Sequence, residues 1–275
     1  MPLLPFYWVD AFTDRPFTGN PAGVVPLDVW PDDALLQRMA FEHGLSETAF
    51  FVRTGDARFH LRWFTPAVEV ELCGHATLAS AHVLFHELGQ HGDLVTFDSR
   101  SGPLTAARRT DGKLELDFPA TPATAVTDAP HAREVSAALG GAEVFWLGRT
   151  KFDWLAELRE AASVRTLQPD FPRVAALGAR GLIVTAAGDD CDFVSRFFAP
   201  QSGVAEDPVT GSAHSALAPF WAARFGRPRL HARQVSARGG ELWCDLAVAT
   251  GSGPADARVR IAGHAVCYLR GEIRF

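Results

Sequence analysis

One pattern of residues occurs twice in this chain, in the same order and at a nearly constant spacing. Segment 50–66 (FFVRTGDARFHLRWFTP) aligns with segment 184–200 (VTAAGDDCDFVSRFFAP) at an offset of 184 minus 50, or 134, residues. The register resumes where Gly74 aligns with Gly211, at an offset of 137 residues. Since half of the 275 residues is 137.5, the repeat spans most of the chain. A period this long predicts two half-domains rather than a solenoid.

We therefore expect an N-terminal half at residues 1–118 and a C-terminal half at 131–275. Segment 118–130, rich in Pro, Ala and Thr, has the composition of a linker between them. Ligands bind preferentially in clefts between domains, so we expect the active site between the halves.

The two copies differ at positions that could carry chemistry. Glu47 aligns with Gly181, and Cys73 aligns with Thr210. Asp207 lies near three extra residues of the second copy. One half supplies groups that the other lacks, which favours a single asymmetric site over two equivalent ones.

Composition excludes several classes of protein. A hydrophobic content of 47% is sufficient for one or two packed domains. The net charge is −6 with Lys and Arg scattered, so we expect neither nucleic acid nor an acidic membrane as a partner. Four widely separated cysteines and an N-terminus without secretory features predict free thiols in a cytoplasmic protein. No apolar run approaches the roughly 20 residues of a membrane span.

Short segments of alternating polarity dominate the chain and predict strands. Two helices rich in Ala and Ser on every face are predicted at 75–88 and 212–225, each followed by a glycine. A helix with no polar face suits a position enclosed by strands. Further helices are predicted at 32–43 and 151–159.

The starts of the two small-residue helices are candidate ligand sites. A helix N-terminus offers backbone N–H groups without partners in the helix and a partial positive charge, which suit an anion or a developing enolate. Gly74 and Gly211 lie at these ends, where glycine lets the backbone approach a ligand closely. The alternative, a glycine that only permits a tight turn, is less favoured for a mirrored pair beside His75, Asp207 and Ser212.

Other polar residues each have two interpretations. Glu47 lies in the uncharged stretch GLSETAFF, where desolvation would favour the proton-transfer chemistry of a carboxylate, although a helix cap is the alternative. Asp207 could be a turn residue, His75 a structural histidine and Ser212 a helix cap. Asn20 and Arg238 are candidates for holding a substrate carboxylate or polar group.

Two aligned arginines, Arg62 and Arg196, are interpreted as structural charges rather than substrate clamps.

Five ordered blocks resemble the signature blocks of the PhzF family, the phenazine-biosynthesis-type isomerases with the diaminopimelate epimerase fold. The blocks are DAFTDRPFTGNPAGVV, LSETAFF, RWFTPAVEVELCGHATLASAHVL, SRFFAPQSGVAEDPVTGSAH and QVSARGGEL. The resemblance runs from about residue 8 to the C-terminus. It implies an α+β fold of two pseudo-symmetric halves, each a curled, mostly antiparallel sheet around a central helix. It leaves the extreme C-terminus free to pack on the first half.

The resemblance also implies a mechanism. The proton-shuttling glutamate of the family falls on Glu47, its histidine on His75 and its aspartate on Asp207. The oxyanion-binding glycines fall on Gly74 and Gly211, and the serine on Ser212. The substrate implied is a small carboxylate-bearing molecule, with no cofactor, no metal and a homodimeric assembly.

Two alternatives to an isomerase remain open. Racemases and epimerases of the same fold use two thiols, at positions held here by Cys73 and Thr210, so that one thiol survives. An amino-acid racemase or epimerase using Cys73 with a non-cysteine partner is the first alternative. A non-catalytic ligand-binding or interaction protein of the same fold is the second.

Overall fold

The structure is a computed structural model that describes residues 3–247 and 257–275. It divides into two compact units, one containing residues up to 117 together with 261–275 and the other containing residues 118–260.

In the described residues, both units contain more strands than helices. They are β1 (Leu3–Ala11), β2 (Asn20–Leu27), β3 (Glu47–Gly55), β4 (Arg58–Phe64), β5 (Glu69–Val70), β6 (Leu94–Ser99), β7 (Gly102–Arg108), β8 (Leu114–Pro119), β9 (Thr124–Ala125), β10 (Trp146–Arg149), β11 (Trp154–Glu157), β12 (Leu182–Ala187), β13 (Phe193–Ala199), β14 (Val204–Asp207), β15 (Arg229–Gln234), β16 (Gly240–Ala247), β17 (Arg258–Gly263) and β18 (Ala265–Arg274). The α-helices are α1 (Asp33–His43), α2 (Gly74–His82), α3 (Ala129–Ala138), α4 (Ala161–Thr166), α5 (Phe171–Ala176) and α6 (Gly211–Phe225). A π-helix (Val83–Glu87) and a 3-10 helix (Pro200–Ser202) complete the set.

The first unit is a mixed, mostly antiparallel sheet around helix α2. Strand β1 pairs antiparallel with β18 and β2, and β2 pairs parallel with β3. Strand β4 pairs antiparallel with β3 and β5 and parallel with β6, which continues antiparallel through β7 to β8. Helix α2 contacts strands from β1 through β3, β7 and β18, so the sheet curls around it.

The second unit repeats this pairing order. Strand β11 pairs parallel with β12, β12 antiparallel with β13, and β13 antiparallel with β14 and parallel with β15. The register is also the same, because Arg62 pairs with Phe50 and Arg196 pairs with Val184, each residue 134 positions from its counterpart. The predicted α+β fold of two similar halves is confirmed.

The two small-residue helices are largely buried, as their composition predicts, with only the last turn of α6 exposed. Residues 75–81 of α2 are all buried, because Ala, Ser and Thr side chains let strands approach from every direction. Helix α6 ends at Gly226, which has a left-handed φ of 65°. The predicted helix 75–88 differs in one respect, since its last turn is the π-helix from Val83 to Glu87. Among the described residues, no helix is long and apolar enough to cross a membrane.

Helix α1 begins as the sequence predicts. Asp32 is its N-cap and accepts a hydrogen bond from the backbone N–H of Leu35 at 2.8 Å. Its buried face, which includes Leu36 and Met39, packs in a hydrophobic cluster with sheet residues such as Phe50.

Other predictions about the middle of the chain are wrong. The segment 151–159 contains strand β11 rather than a helix, and all four residues of β11 are buried. Strand β11 lies between β10 and β12, and its residues WLAE show no alternation of polar and apolar side chains, so periodicity alone does not distinguish it from a buried helix. The segment 118–130 is not a free linker, because β9 pairs with β10 and α3 begins at Ala129.

The C-terminal strand belongs to the first unit. Strand β18 runs antiparallel to β1 from the pair Leu3–Arg274 to the pair Ala11–Ala265. Residues 261–275 are therefore part of the first unit, whereas the boundaries expected from the sequence put them with the second half.

Candidate active site

The starts of two strands and one helix bring polar residues of the first unit together. Asn20 is the first residue of β2 and Glu47 is the first residue of β3. Since β2 and β3 are parallel and Ala22 pairs with Glu47, both strands begin at the same edge of the sheet. Helix α2 begins there as well, with Cys73 as its N-cap and His75 as its second residue.

His75 lies at the centre of this group. Its Nε2 atom is 3.3 Å from Oε2 of Glu47. On the other side of the ring, Nδ1 is 3.1 Å from Nδ2 of Asn20 and 3.5 Å from Sγ of Cys73. Asn20 is fully buried and His75 is 5% exposed, whereas the Glu47 side chain is 18% exposed. The carboxylate is therefore the member of the group that solvent and ligands reach most easily.

The imidazole of His75 is neutral at physiological pH. Desolvation by burial lowers its pKa from 6.5 to about 3. The approach of His75 to Glu47 is thus a contact between a neutral ring and a carboxyl group, not an ion pair. In the described part of the chain, Nε2 has no partner that meets hydrogen-bond geometry, so the 3.3 Å approach is close but misaligned.

The same residues offer ligand atoms of the kinds that zinc prefers. One atom each from Glu47, Cys73 and His75 can be chosen so that all three lie within 4.8 Å of one another. Glu47 and Cys73, however, contact different nitrogens of the His75 ring, Nε2 and Nδ1 respectively. A metal ion that used Nδ1 would have to displace the Asn20 amide, and one that used Nε2 would lie away from the nitrogen that Cys73 contacts.

A second polar group surrounds the start of helix α6. Asp207 ends β14, Thr210 is the N-cap of α6 and Gln234 ends β15. The Thr210 hydroxyl donates to Oδ2 of Asp207 at 2.5 Å, and the Thr210 N–H donates to Oε1 of Gln234 at 2.9 Å. The amide of Gln234 donates to the Asp207 carbonyl at 2.7 Å and to the Thr210 hydroxyl oxygen at 3.2 Å. The buried Gln234 thus holds both ends of the turn that precedes α6.

The remaining predicted residues of the second unit lie on either side of this turn. Gly211 and Ser212 are the first two residues of α6, and Ser212 is half-buried. Arg238 is half-buried in the loop between β15 and β16. Ser236 of that loop donates to the carbonyl of Pro208 at 2.8 Å, so the loop is tied to the turn that carries Asp207.

The structure explains why a carboxylate occurs in only one unit at this position. Gly181 aligns with Glu47, and a Cβ atom at Gly181 would lie 2.5 Å from the ring of Phe197 and 2.8 Å from the carbonyl oxygen of Phe198. Real Cβ atoms essentially never make such contacts. The second unit therefore has no room for a side chain where the first unit carries Glu47.

Two aligned arginines are structural, as interpreted from the sequence. Arg62 makes a two-pronged ion pair with Glu69, with both contacts at 2.8 Å. Arg196 makes the same pair with Glu206, at 2.7 and 2.8 Å, and also donates to the carbonyl of Leu167. Each guanidinium is occupied by a glutamate of its own unit.

Three residues of the second unit, Gln234, Thr210 and His214, have contacts or burial that the sequence does not predict. Gln234 stands in the block QVSARGGEL, but its bonds reach residues 24 and 27 positions earlier, which only the folded sheet brings close. The sequence alignment shows that Thr210 is the counterpart of Cys73, but it does not predict the hydrogen bond from Thr210 to Asp207. His214 is fully buried in α6, and burial lowers its pKa to about 4.

Fold and site together define the class of protein. Two units of the same strand order, each enclosing a helix, are typical of the epimerase-like α+β folds. A hydroxyproline epimerase of Agrobacterium vitis is 11% identical and matches with a TM-score of 0.63 over 98% of this chain and 92% of that one, which shows a shared fold.

The chain belongs to the PhzF family, since the family model described as phenazine biosynthesis-like protein matches residues 9–271. An uncharacterized isomerase of Pseudomonas aeruginosa is 54% identical over 272 residues, which is 98% of each chain. The crystal structure of a PhzF-family phenazine biosynthesis protein from Enterococcus faecalis is 41% identical, with a TM-score of 0.92 and full coverage of both chains. The resemblance, and with it the prediction of an isomerase, are confirmed.

Proposed function

We propose that this protein moves a proton between carbons of a small carboxylate-bearing metabolite without a cofactor, and that Glu47 is the acid and base. The observation that carries the proposal is the position of Glu47. It is the most accessible member of a buried group, 3.3 Å from the neutral His75 and close to the start of α2.

The chemistry requires one group that takes and returns a proton. The Glu47 carboxylate removes a proton from a carbon next to a carboxyl or carbonyl group and becomes a carboxylic acid. The electron pair left behind delocalises onto oxygen as an enolate-like intermediate, and the acid then returns the proton to a different carbon of the conjugated system. A single carboxylate acting on one face of the substrate suffices for both steps.

The negative charge of the intermediate needs stabilisation. Backbone N–H groups at Gly74 and Gly211, together with the Ser212 hydroxyl, are suited to this role because the first N–H groups of a helix lack partners within the helix. We assign the handling of the oxygen or amine proton to His75 and Asp207. Asn20 and Arg238 are the candidates for holding a substrate carboxylate or polar group, and we assign the substrate carboxylate to Arg238.

A racemase or epimerase that uses Cys73 is the second candidate. The position of the thiol favours it, because Sγ of Cys73 lies 3.5 Å from Nδ1 of His75. A two-base inversion needs a second group at Thr210, whose hydroxyl already donates to Asp207. The isomerase therefore accounts for more of the arrangement.

A homodimer and a cytoplasmic location are further proposals. The stretch FWLGRTKFDWL contains Phe145, which is 56% exposed, and Phe152, which is 44% exposed. Such residues are suited to an interface between subunits. Sedimentation at micromolar concentration would show a dimer, and a monomer alone would contradict this proposal.

The experiment that tests the proposed function is proton exchange in heavy water. A panel of small unsaturated carboxylates is incubated with the protein and followed by proton NMR. We expect deuterium to enter one carbon of a substrate while its double bond moves. Exchange with inversion at a single carbon would favour the racemase. Clear binding of a panel member without any exchange would favour a ligand-binding protein.

A further inference from the structure

Two buried histidines lie near the starts of the two equivalent helices, and their rings are held in different ways. His75 is the second residue of α2 and His214 is the fourth residue of α6. Burial lowers the pKa of both, to about 3 and about 4, so both rings are neutral near pH 7. A neutral imidazole carries one proton, and its hydrogen bonds decide which nitrogen holds it.

The tautomer of His214 follows from its partner. Its Nδ1 lies 2.8 Å from the carbonyl oxygen of Thr210. A carbonyl oxygen can only accept, so Nδ1 must carry the proton and Nε2 must be bare.

The partners of His75 are of the opposite kind. Nδ1 lies 3.1 Å from the amide nitrogen of Asn20, which can only donate. The thiol of Cys73, at 3.5 Å from the same atom, can donate or accept, so it fits either tautomer. The Asn20 amide nitrogen is therefore the neighbour that requires an unprotonated Nδ1.

We propose that Asn20 is a positioning residue that holds His75 as the tautomer with its proton on Nε2. This inference rests on the proposed function for its catalytic meaning, since it places an N–H donor beside the acid-base carboxylate of Glu47. The Nε2 atom lies 3.3 Å from Oε2 of that carboxylate and has no aligned acceptor among the described residues. In this proposal its N–H donates to a substrate oxygen, and His75 is a hydrogen-bond donor rather than a second base.

The opposite tautomer would work against Glu47. A bare Nε2 would place a lone pair against the carboxylate oxygen, which is an unfavourable contact. With the proton on Nε2, the carboxylate of Glu47 faces an N–H group instead.

The backbone around Asn20 is built to fix its position. Asn20 pairs with Ala11 in the first register position of β2 and is fully buried. The preceding Gly19 has a left-handed φ of 68°, and a Cβ there would lie 2.7 Å from Cγ2 of Thr13. The backbone conformation that places Asn20 therefore requires a glycine at position 19.

The test is the tautomeric state of each histidine in protein labelled with ¹⁵N, read from two-bond proton–nitrogen correlations of the imidazole rings. In the wild-type protein near pH 7, we expect His75 to carry its proton on Nε2 and His214 to carry its proton on Nδ1. The signals of His214 serve as the reference of opposite sense in the same spectrum. A His75 protonated on Nδ1 in the wild type would overturn the proposal without any variant.

Substitution of Asn20 extends the test. In Asn20→Asp the new carboxylate can only accept, so we expect the proton of His75 to appear on Nδ1. The matched control is Thr48→Val, which removes the 3.0 Å partner of Nδ1 in the half-buried His43 and leaves the His75 signals unchanged. An unchanged His75 pattern in a folded Asn20→Asp protein would contradict the proposal, with folding checked by the signals of His214.

The positioning role of Asn20 and the proposed function can be contradicted independently of each other. If His75 has the expected tautomer but the Glu47→Gln protein keeps its turnover, the proposed function is wrong and the positioning role stands. If Glu47→Gln is inactive but His75 carries its proton on Nδ1, the positioning role is wrong and the proposed function stands.

Discussion

Nε2 of His75 lies 3.3 Å from Oε2 of Glu47, with the imidazole buried and the carboxylate partly open to solvent. A neutral imidazole beside an accessible carboxylate is not a charge pair, and it suits the proton transfer that we propose. The aligned position in the second unit, Gly181, has no room for a side chain, so this unit cannot repeat the arrangement. The asymmetry expected from the sequence therefore has a steric cause.

Neighbouring carboxylates of β14 should separate structure from function. Glu206 is paired with Arg196, so Glu206→Gln should lower the free energy of unfolding by about 1–3 kcal/mol and leave proton exchange nearly unchanged. Asp207→Asn keeps an acceptor for Thr210 but loses the charge, so it should lower exchange with a small effect on stability. Urea denaturation and exchange rates measured on both proteins check the contrast. An active Asp207→Asn protein would remove Asp207 from the mechanism.

The closed position at Gly181 predicts an intolerance of any side chain. Gly181→Ala should lower the free energy of unfolding by about 1–3 kcal/mol, because its Cβ would overlap the Phe197 ring. Gly55→Ala is the matched control in a strand of the first unit, since the nearest atom to its Cβ is Cβ of Arg58 at 3.7 Å. That change should shift stability by less than about 1 kcal/mol. Equal urea midpoints for the two variants would contradict the steric explanation.

Stability should fall in mild acid because of buried histidines, among them His75 and His214. The folded-state pKa values of His75 and His214 are lowered to about 3 and about 4, whereas an unfolded histidine titrates near 6.5. Above pH 6.5 neither state is protonated and the contribution is constant. As the pH falls from 6.5 toward 4, the unfolded state gains protons that the folded state does not, so each histidine removes about 1.4 kcal/mol per pH unit.

Urea denaturation at about pH 7 and about pH 5.5 measures the summed loss, of which about 3 kcal/mol is expected from His75 and His214 together. His43 and His82, whose pKa values burial also lowers to about 4, add to it. His214→Phe should reduce the difference between the two pH values by about half of the amount expected from His75 and His214. His131→Gln is the control, because His131 is exposed. The same pH dependence in His214→Phe and wild type would contradict the assignment.

Cys73 should be dispensable for isomerisation. Its counterpart Thr210 is not a thiol, and one carboxylate is enough for the proposed transfer. We expect Cys73→Ser to keep proton exchange within a few-fold of wild type, measured on the same substrate. If Cys73→Ser lost activity as completely as Glu47→Gln while folded, the racemase would become the better account.

Local patterns predicted much of this fold because the repeat fixes strand order in both units. The offset of 134 residues reappears as equal strand registers, and the offset of 137 residues separates the starts of α2 and α6. The Ala-rich composition of α2 reappears as burial of residues 75–81. The sequence does not predict strand β11, because this buried strand shows no alternation of polar and apolar residues. The π-helix after α2 was missed because a shift in backbone hydrogen bonding leaves no mark in side-chain polarity.

The sequence predicts which residues belong to the candidate site better than it predicts the contacts between them. Glu47, His75 and Asn20 were all singled out, but the position of Asn20 against His75 depends on the β1–β2 register and on the start of α2. The role of Gln234 depends likewise on where β15 ends beside the turn at Asp207. Such contacts join residues tens of positions apart, so no local pattern can predict them.

The most direct test of the account is deuterium exchange by Glu47→Gln on a substrate that the wild-type protein turns over. The substitution keeps the size and hydrogen-bonding reach of the side chain and removes only the base. We expect the exchange rate to fall by about 10²–10⁴-fold, the usual contribution of a general base, while the dissociation constant for the substrate changes little. Exchange at the wild-type rate by the folded Gln variant would mean that Glu47 is structural and that the proposed mechanism is wrong.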